Sequence, residues 1–390
     1  MNAVRFISGK IRFKGYLTLI CVAVSYLVMI VAVSVSSGFR NEIRNSLGEN
    51  YGDVRLTPLE EDMTAGTVSL PRHPAFMDRL EQLYCVESVK PAVNRAGIVK
   101  QGDLVHGVLF RGTEVNDFPD SVAYPLAIPS RLSSMLSVKQ GGQLTVYFVG
   151  KKTVVRKFQV CSIYDSVLSS DNQLVCQTTL PVMQRINTWD EDQVSAFEIR
   201  LKPAYRGEEA AAIAGMDIAS TIYAFSDESE PSVLSRTLTQ TYPTIFSWFS
   251  FLDLNVLVLL VLMTIVAGFN VISGLLILLF ENISTIGLLK AMGMTDKGIA
   301  AVFLRSAGVL TLKGMAAGNA IALLFCLIQD STHLLKLDPH NYFLSFVPVH
   351  IDWAGILAAD AVSLIVILLL MLIPSLFISK VDPASTIRVE

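Results

Sequence analysis

The sequence predicts a polytopic α-helical membrane protein with four transmembrane helices and a large α+β extracytoplasmic domain between the first and second. Three observations predict it. Of the 390 residues, 52% are hydrophobic and 17% charged, against about 25% charged in soluble globular chains, and the mean hydropathy is +0.51. The apolar residues gather in four runs, with some 210 residues of ordinary composition after the first. Lysine and arginine are distributed unevenly over the segments that flank the runs.

Residues 1–15 carry Arg5, Lys10, Arg12 and Lys14 and no acid, and Val4, Ile7 and Ile11 share one helical face. Two readings stay open there: a helix lying in the membrane interface, or a basic flank that only sets orientation. The first span, 16–37, holds 22 residues without a charge. A spanning helix needs roughly 20 apolar residues, and the run exceeds the ~7–15-residue apolar part of a secretory signal.

Residues 38–247 form the extracytoplasmic domain, with 20 Lys and Arg against 25 Asp and Glu and no basic patch for nucleic acid. "AFMDRLEQLY" (75–84) has a helical apolar rhythm. "QLTVYFVG" (143–150) alternates like a strand and leads through Gly-Lys-Lys into "TVVRKFQVCSIY" (153–164), a hairpin. "NQLVCQTTL" and "AFEIRLKP" are further strands, and "GEEAAAIAGMDIAS" (207–220) is a helix with an acidic start. Cys85, Cys161 and Cys176 lie in this domain, and a Cys161–Cys176 bridge is one open pairing.

The second span, 251–280, includes 27 uncharged residues from Leu254 to Phe280. A short loop, 281–298, separates it from the third span, 299–328, which Arg305 and Lys313 interrupt. A connection at 329–352 precedes the fourth span, 353–378, which contains Asp360, and a tail of 379–390 closes the chain. Lys290 and Lys297 sit in the short loop and Lys380 and Arg388 in the tail, whereas 329–352 has one Lys against three acids. The positive-inside rule places both termini and the 281–298 loop in the cytoplasm.

Lys313 lies ~21 Å and Asp360 ~27 Å from the inner membrane face at 1.5 Å per residue. An ion in hydrocarbon costs at least ~2.5 kcal/mol, so the two are candidates for a direct pair. The alternative has Asp360 facing water at the outer rim and Lys313 bonding a neighbour's carbonyls. Gly314 and Gly318 make a GxxxG step for close helix contact, inside the bundle or at a dimer face. No GxxxxGK[ST], GxSxG, HExxH or CxxC is present, and the five histidines lack ligand spacing. Neither a catalytic centre, a metal site nor a cofactor is expected in this chain.

Several stretches in order carry a resemblance: "AVSVSSGFRNEIRNSLG" (32–48), "VESVKPAVNRAGIVKQGDLVHGVLFRGTE" (86–114), "VRKFQVCSIYDSVLSSDNQLVCQTTLPVMQRI" (155–186), "ISTIGLLKAMGMTDKGIAAVFLRSAGVLTLKGMAAG" (283–318), "LDPHNYFLSFVPVHIDW" (337–353) and the tail "DPASTIRVE". Together they resemble the permease subunits of ABC transporters of the FtsX/MacB type, and most of all the lipoprotein-releasing (LolC/LolE-like) permeases. The resemblance implies a non-catalytic subunit in the cell inner membrane, its large domain periplasmic and MacB-like, that transmits motion and forms no substrate channel. It implies a separate ABC ATPase, two copies, that binds ATP and magnesium, a second permease subunit (identical or homologous), and a lipoprotein or other lipidated client.

In that scheme residues 287–293 couple the permease to the ATPase. Leu288, Leu289, Ala291 and Met292 seat in a groove, Gly287 and Gly293 allow close turns, and Lys290 is a rim contact. The apolar faces of the first two spans would be walls for acyl chains. Two features depart from the family pattern. "NIST" (282–285) is uncharged where an acid is common at the position of Thr285, and the hairpin turn "VGKKTV" (149–154) lacks a long arm for recruiting a soluble carrier. A MacB-like efflux or FtsX-like cell-envelope complex, and an envelope sensor or scaffold without an ATPase, remain alternatives.

Overall fold

A computed structural model of the chain describes residues 16–60, 68–102, 104–114, 118–119, 121–150, 153–164, 174–337, 344 and 346–375. The basic segment 1–15, the closing tail and residues 151–152 of the hairpin turn therefore lie outside the described residues. The chain divides into two compact units: a helical one of residues up to 41, Phe249–Leu335 and residues from 347 onward, and a sheet-based one of Glu42–Trp248 with Lys336–Phe346.

Four helices are long and apolar enough to cross a membrane: α1 (Tyr16–Tyr51), α7 (Pro243–Glu281), α9 (Asp296–Thr332), and α10 (Trp353–Leu370) continued by α11 (Leu372–Ser375). The first two outrun their apolar stretches. At 1.5 Å per residue the 36 residues of α1 reach ~54 Å, where a span takes about 30 Å. Hydropathy marks where lipid stops, and charged helix formers such as Arg40, Glu42 and Arg44 let the helix continue past that point.

The helical unit's core joins Val22 and Tyr26 of α1, Val271 and Leu275 of α7, Phe303 and Ala307 of α9, and Ile367 of α10. On its other side the chain after α9 folds back on α1. Gln329, fully buried, donates to the carbonyls of Leu335 and Val347 and accepts from the Leu335 N–H. The His350 N–H bonds the Ser34 carbonyl at 3.0 Å. A Cβ at Gly38 would lie 2.4 Å from the Pro348 carbonyl oxygen, so only glycine allows that approach. Much of α7, including Leu257, Val261 and Phe269, faces outward.

The sheet-based unit holds nine strands in the order β11-β1-β10-β3-β4-β8-β5-β7-β6. They are β1 (Val54–Pro58), β3 (Val86–Gln101), β4 (Leu104–Thr113), β5 (Pro125–Pro129), β6 (Gln143–Phe148), β7 (Val154–Tyr164), β8 (Val175–Thr179), β10 (Ala196–Leu201) and β11 (Val233–Thr237). A short pair, β2 (Leu70–Pro71) and β9 (Gln193–Val194), stands apart. Strand β3 is 16 residues long and changes partner along one edge, from β10 at 86–92 to β6 at 98–100. The β3–β6 pairing closes β3-β4-β8-β5-β7-β6 into a ring. Phe110, Phe148 and Phe158 fill it, with ring centroids 5.0–6.2 Å apart.

The expected hairpin is present, with Leu144 opposite Phe158 and Phe148 opposite Val154. Leu144, Val146 and Phe148 are buried in alternation with exposed or half-buried neighbours, as period 2 requires. The expected helix at 75–84 shrinks to α2 (Met77–Glu81), since Cys85 is already committed to the core ahead of β3. The 207–220 helix lengthens to α5 (Glu208–Phe225), which buries Ala214, Ile218 and Ile222 at four-residue spacing. Short helices α3 (Ser130–Leu136), α4 (Leu180–Asn187) and α6 (Leu238–Thr241) complete the unit. All five cysteines are free. Cys161 on β7 and Cys176 on β8 are separated by β5, and two strand spacings of about 4.8 Å exceed the ~7 Å Cα reach of a disulfide.

The end of α1 is held to this sheet by polar contacts. Buried Asp53 accepts from the Leu201 N–H at 2.8 Å and from Arg200 at 3.0 Å, and Arg44 donates to the Arg206 carbonyl at 3.1 Å.

Candidate functional site

Between α7 and α9 the chain forms a separate nine-residue helix, α8 (Ile283–Ala291). Its end is fixed by local chemistry. Gly293 takes a left-handed φ of +88°, its N–H bonds the Lys290 carbonyl at 2.9 Å, and the Met294 N–H bonds the Leu289 carbonyl at 3.0 Å. This is a Schellman stop, and Leu289 and Met294 both pack on the bundle core, supplying its usual apolar contact. Helix α9 then starts with Thr295, whose hydroxyl accepts the Gly298 N–H at 3.3 Å. Lys290 and Asp296 pair at 3.0 Å, tying the last turn of α8 to the first of α9.

The residues named from sequence divide between two faces. Ile286, Gly287 and partly buried Leu289 point into the bundle. Leu288, Ala291, Met292 and Gly293 point away; Leu288 is 58% and Met292 76% exposed. Positions 288, 291 and 292 form one face by i, i+3, i+4 spacing. Three of the expected roles change. Gly287 makes no turn: it lies buried within α8, and only Gly293 turns the chain. Leu289 is part of the bundle's own packing and not of the outward face. Lys290, with a side chain only 11% exposed and an intrachain partner, is not a free rim charge.

Farther along the bundle, Gly314 and Gly318 are buried against α1. A Cβ at Gly314 would meet Val22 at 2.8 Å, and one at Gly318 the Ala23 carbonyl oxygen at 2.4 Å. The candidate Lys313–Asp360 pair is not formed. Lys313 is exposed, whereas Asp360 is buried and accepts from Asn319 Nδ2 at 2.6 Å. Lys313 precedes Asn319 by six residues, about 240° around the helix at 100° each, so it faces elsewhere. Nor does Asp360 face water. Ser363 lies one turn on; its hydroxyl is 3.1 Å from the Tyr26 hydroxyl and 3.1 Å from the Asp360 carbonyl. Sequence reading missed Asn319, Tyr26 and Ser363. Asn319 carried a signal, because its height, ~30 Å above residue 299, matches Asp360 better than that of Lys313.

Residues 238–383 match the FtsX-like permease C-terminal family. The chain is 20% identical, over 98% of its length and 95% of the relative's, to the lipoprotein-releasing system transmembrane protein LolC of Xylella fastidiosa. It is 21% identical to LolE of Haemophilus influenzae, over 94% of this chain and 92% of that one. The crystal structure of the periplasmic region of MacB from Actinobacillus actinomycetemcomitans aligns with 51% of this chain and 95% of its own, at 12% identity and a TM-score of 0.32, too loose a likeness to carry argument. The family match spans α7, the outward face of α8, α9 and α10, and the LolC and LolE matches run through both units. Residues 238–383 thus carry an FtsX-like permease domain, and the chain is similar along nearly its whole length to LolC and LolE.

Proposed function

We propose that this chain is the non-catalytic membrane subunit of an ABC complex that releases lipoproteins from the outer leaflet of the inner membrane. The observation that carries the reading is the outward apolar face of α8, where Leu288, Ala291 and Met292 sit exposed beside charged and polar neighbours. A short helix with large apolar side chains on its free face is suited to a helix-in-groove contact, and the partner here is an ATPase that binds ATP and magnesium. The Schellman stop and the Lys290–Asp296 pair make α8 a stiff lever, so force on its free face passes into α9.

In the working cycle, closure of two ATPase copies moves α8, and two permease subunits, identical or homologous, rock their helices against each other. Both termini and α8 are cytoplasmic and the sheet-based unit is periplasmic. The outward apolar faces of α1 and α7, with Leu17, Ile20 and Val24 on one and Leu257, Val261 and Phe269 on the other, accept the acyl chains of the client.

Conditional depletion followed by density-gradient separation of the two membranes tests the reading. Lipoproteins normally found in the outer membrane should accumulate in the inner one. An unchanged distribution would overturn lipoprotein release as the function.

A further inference from the structure

Both faces of α5 (Glu208–Phe225) are apolar. The inner face buries Ala214, Ile218 and Ile222 in the core of the sheet-based unit. The outer face carries Ile213, Met216, Ser220 and Tyr223, all exposed. Their 3-4-3 spacing is that of the a and d positions of a heptad, which puts them on one seam. Met216 is 69% and Tyr223 92% exposed, so neither holds the fold together. Ala212 and Ala219, also exposed, border the seam with small side chains. Because the inner face fixes the helix, the seam is presented on a rigid element.

Charge decides what fits the seam. Residues 207–235 contain six acids, Glu208, Glu209, Asp217, Asp227, Glu228 and Glu230, and no lysine or arginine. Three of them are engaged. Glu208 lies 3.6 Å from Arg44, Asp217 accepts the Tyr84 hydroxyl at 2.5 Å, and Glu230 accepts the Ala75 N–H at 2.9 Å. Glu209, Asp227 and Glu228 have no basic partner among the described residues. Glu209 precedes the seam and the other two follow it, at opposite ends of a helix of 18 residues, ~27 Å long at 1.5 Å per residue.

That arrangement discriminates between occupants. A second copy of this chain would set acid against acid, whether the two helices ran parallel or antiparallel, and like charges brought together across an interface are unfavourable. An anionic bilayer surface would repel the same ends. A helix with an apolar stripe and a basic residue at each end matches the seam and both acidic ends at once.

We propose that α5 docks an amphipathic helix of a partner protein, apolar side chains against Ile213, Met216 and Tyr223, with lysine or arginine at its two ends about 18 residues apart. The contact is of the helix-on-apolar-face kind, and Tyr223 is its anchor, since tyrosine is among the residues that most often dominate such interfaces. The proposal stands on α5 and its charges and depends neither on the ATPase nor on the cargo.

The test places benzoylphenylalanine at position 216 or 223 of the full chain, illuminates intact cells and maps the adducts by mass spectrometry. Both positions should join the same partner polypeptide, through a peptide with helical apolar spacing and net positive charge. Position 135, exposed on α3, should not join it. In the position-216 chain, Tyr223→Ala should lower the adduct about tenfold or more, and Glu209→Lys combined with Glu228→Lys should do the same. The thermal melts of these chains should match the wild type, because the altered side chains face water. Adducts that contain only lipid, a second copy of this chain or an acidic segment would overturn the proposal. So would the absence of any adduct at both positions, or a yield indifferent to the charge reversal.

Discussion

Replacing both Leu288 and Met292 with aspartate should detach the ATPase while leaving the permease folded. In the free chain these side chains keep 58% and 76% of their exposure, so neither contributes much to the bundle. Burying a large apolar side chain completely stabilises by about 1.5–3 kcal/mol. Scaled by the exposure that remains to be lost, the two together contribute ~2–4 kcal/mol to docking, or roughly 30- to 900-fold in affinity. Two carboxylates forced into an apolar groove add a desolvation cost on top, so complex formation should fall below detection at micromolar protein. The assay is copurification of the ATPase with the affinity-tagged chain in mild detergent, with a thermal melt of the permease alone as the folding control. Leu289→Ala is the contrasting variant: it should lower the melt, because Leu289 packs on the core. If the double aspartate variant retained the ATPase at wild-type stoichiometry, the outward face of α8 would not be the docking surface.

Other consequences follow from the same packing. Gly318→Ala places a methyl 2.4 Å from the Ala23 carbonyl oxygen and should destabilise the bundle by about 1–3 kcal/mol; an unchanged melt would refute the close α1–α9 approach. Asn319→Leu strips Asp360 of its recorded hydrogen bond and should cost about 1–3 kcal/mol, whereas Lys313→Gln should be nearly silent; equal effects would restore the Lys313–Asp360 pair. An impermeant maleimide applied from the periplasmic side should label Cys161, which is partly exposed. Buried Cys85 and Cys176, whose thiols burial pushes up, should react only after unfolding. Labelling of Cys161 solely from the cytoplasmic side would invert the topology.

What the sequence made legible was governed by local rules. Apolar runs located the spans, charged interruptions included, and alternation at 143–164 located the hairpin; Gly293, expected only at a close turn, is the left-handed stop of α8. What stayed hidden depends on rotation and on distant pairing. Height along a helix axis made Lys313 and Asp360 look like partners, but the angular position of Gly314 and Gly318 against α1 turns Lys313 outward and brings Asn319 to the acid. The β3–β6 pairing that closes the ring joins residues about 45 apart, which no local pattern encodes. The split of the "LLKA" cluster into an outward Leu288 and an inward Leu289 likewise needed the direction of α8 relative to the helices it joins.

The central claim is that the free face of α8 contacts an ATPase in the working complex. A photoreactive benzoylphenylalanine placed at position 292 in cells, with position 286 as the buried control, tests it most directly. Illumination should yield an adduct between this chain and an ABC ATPase at 292 and none at 286. Adducts at 292 that contain only lipid would contradict the account.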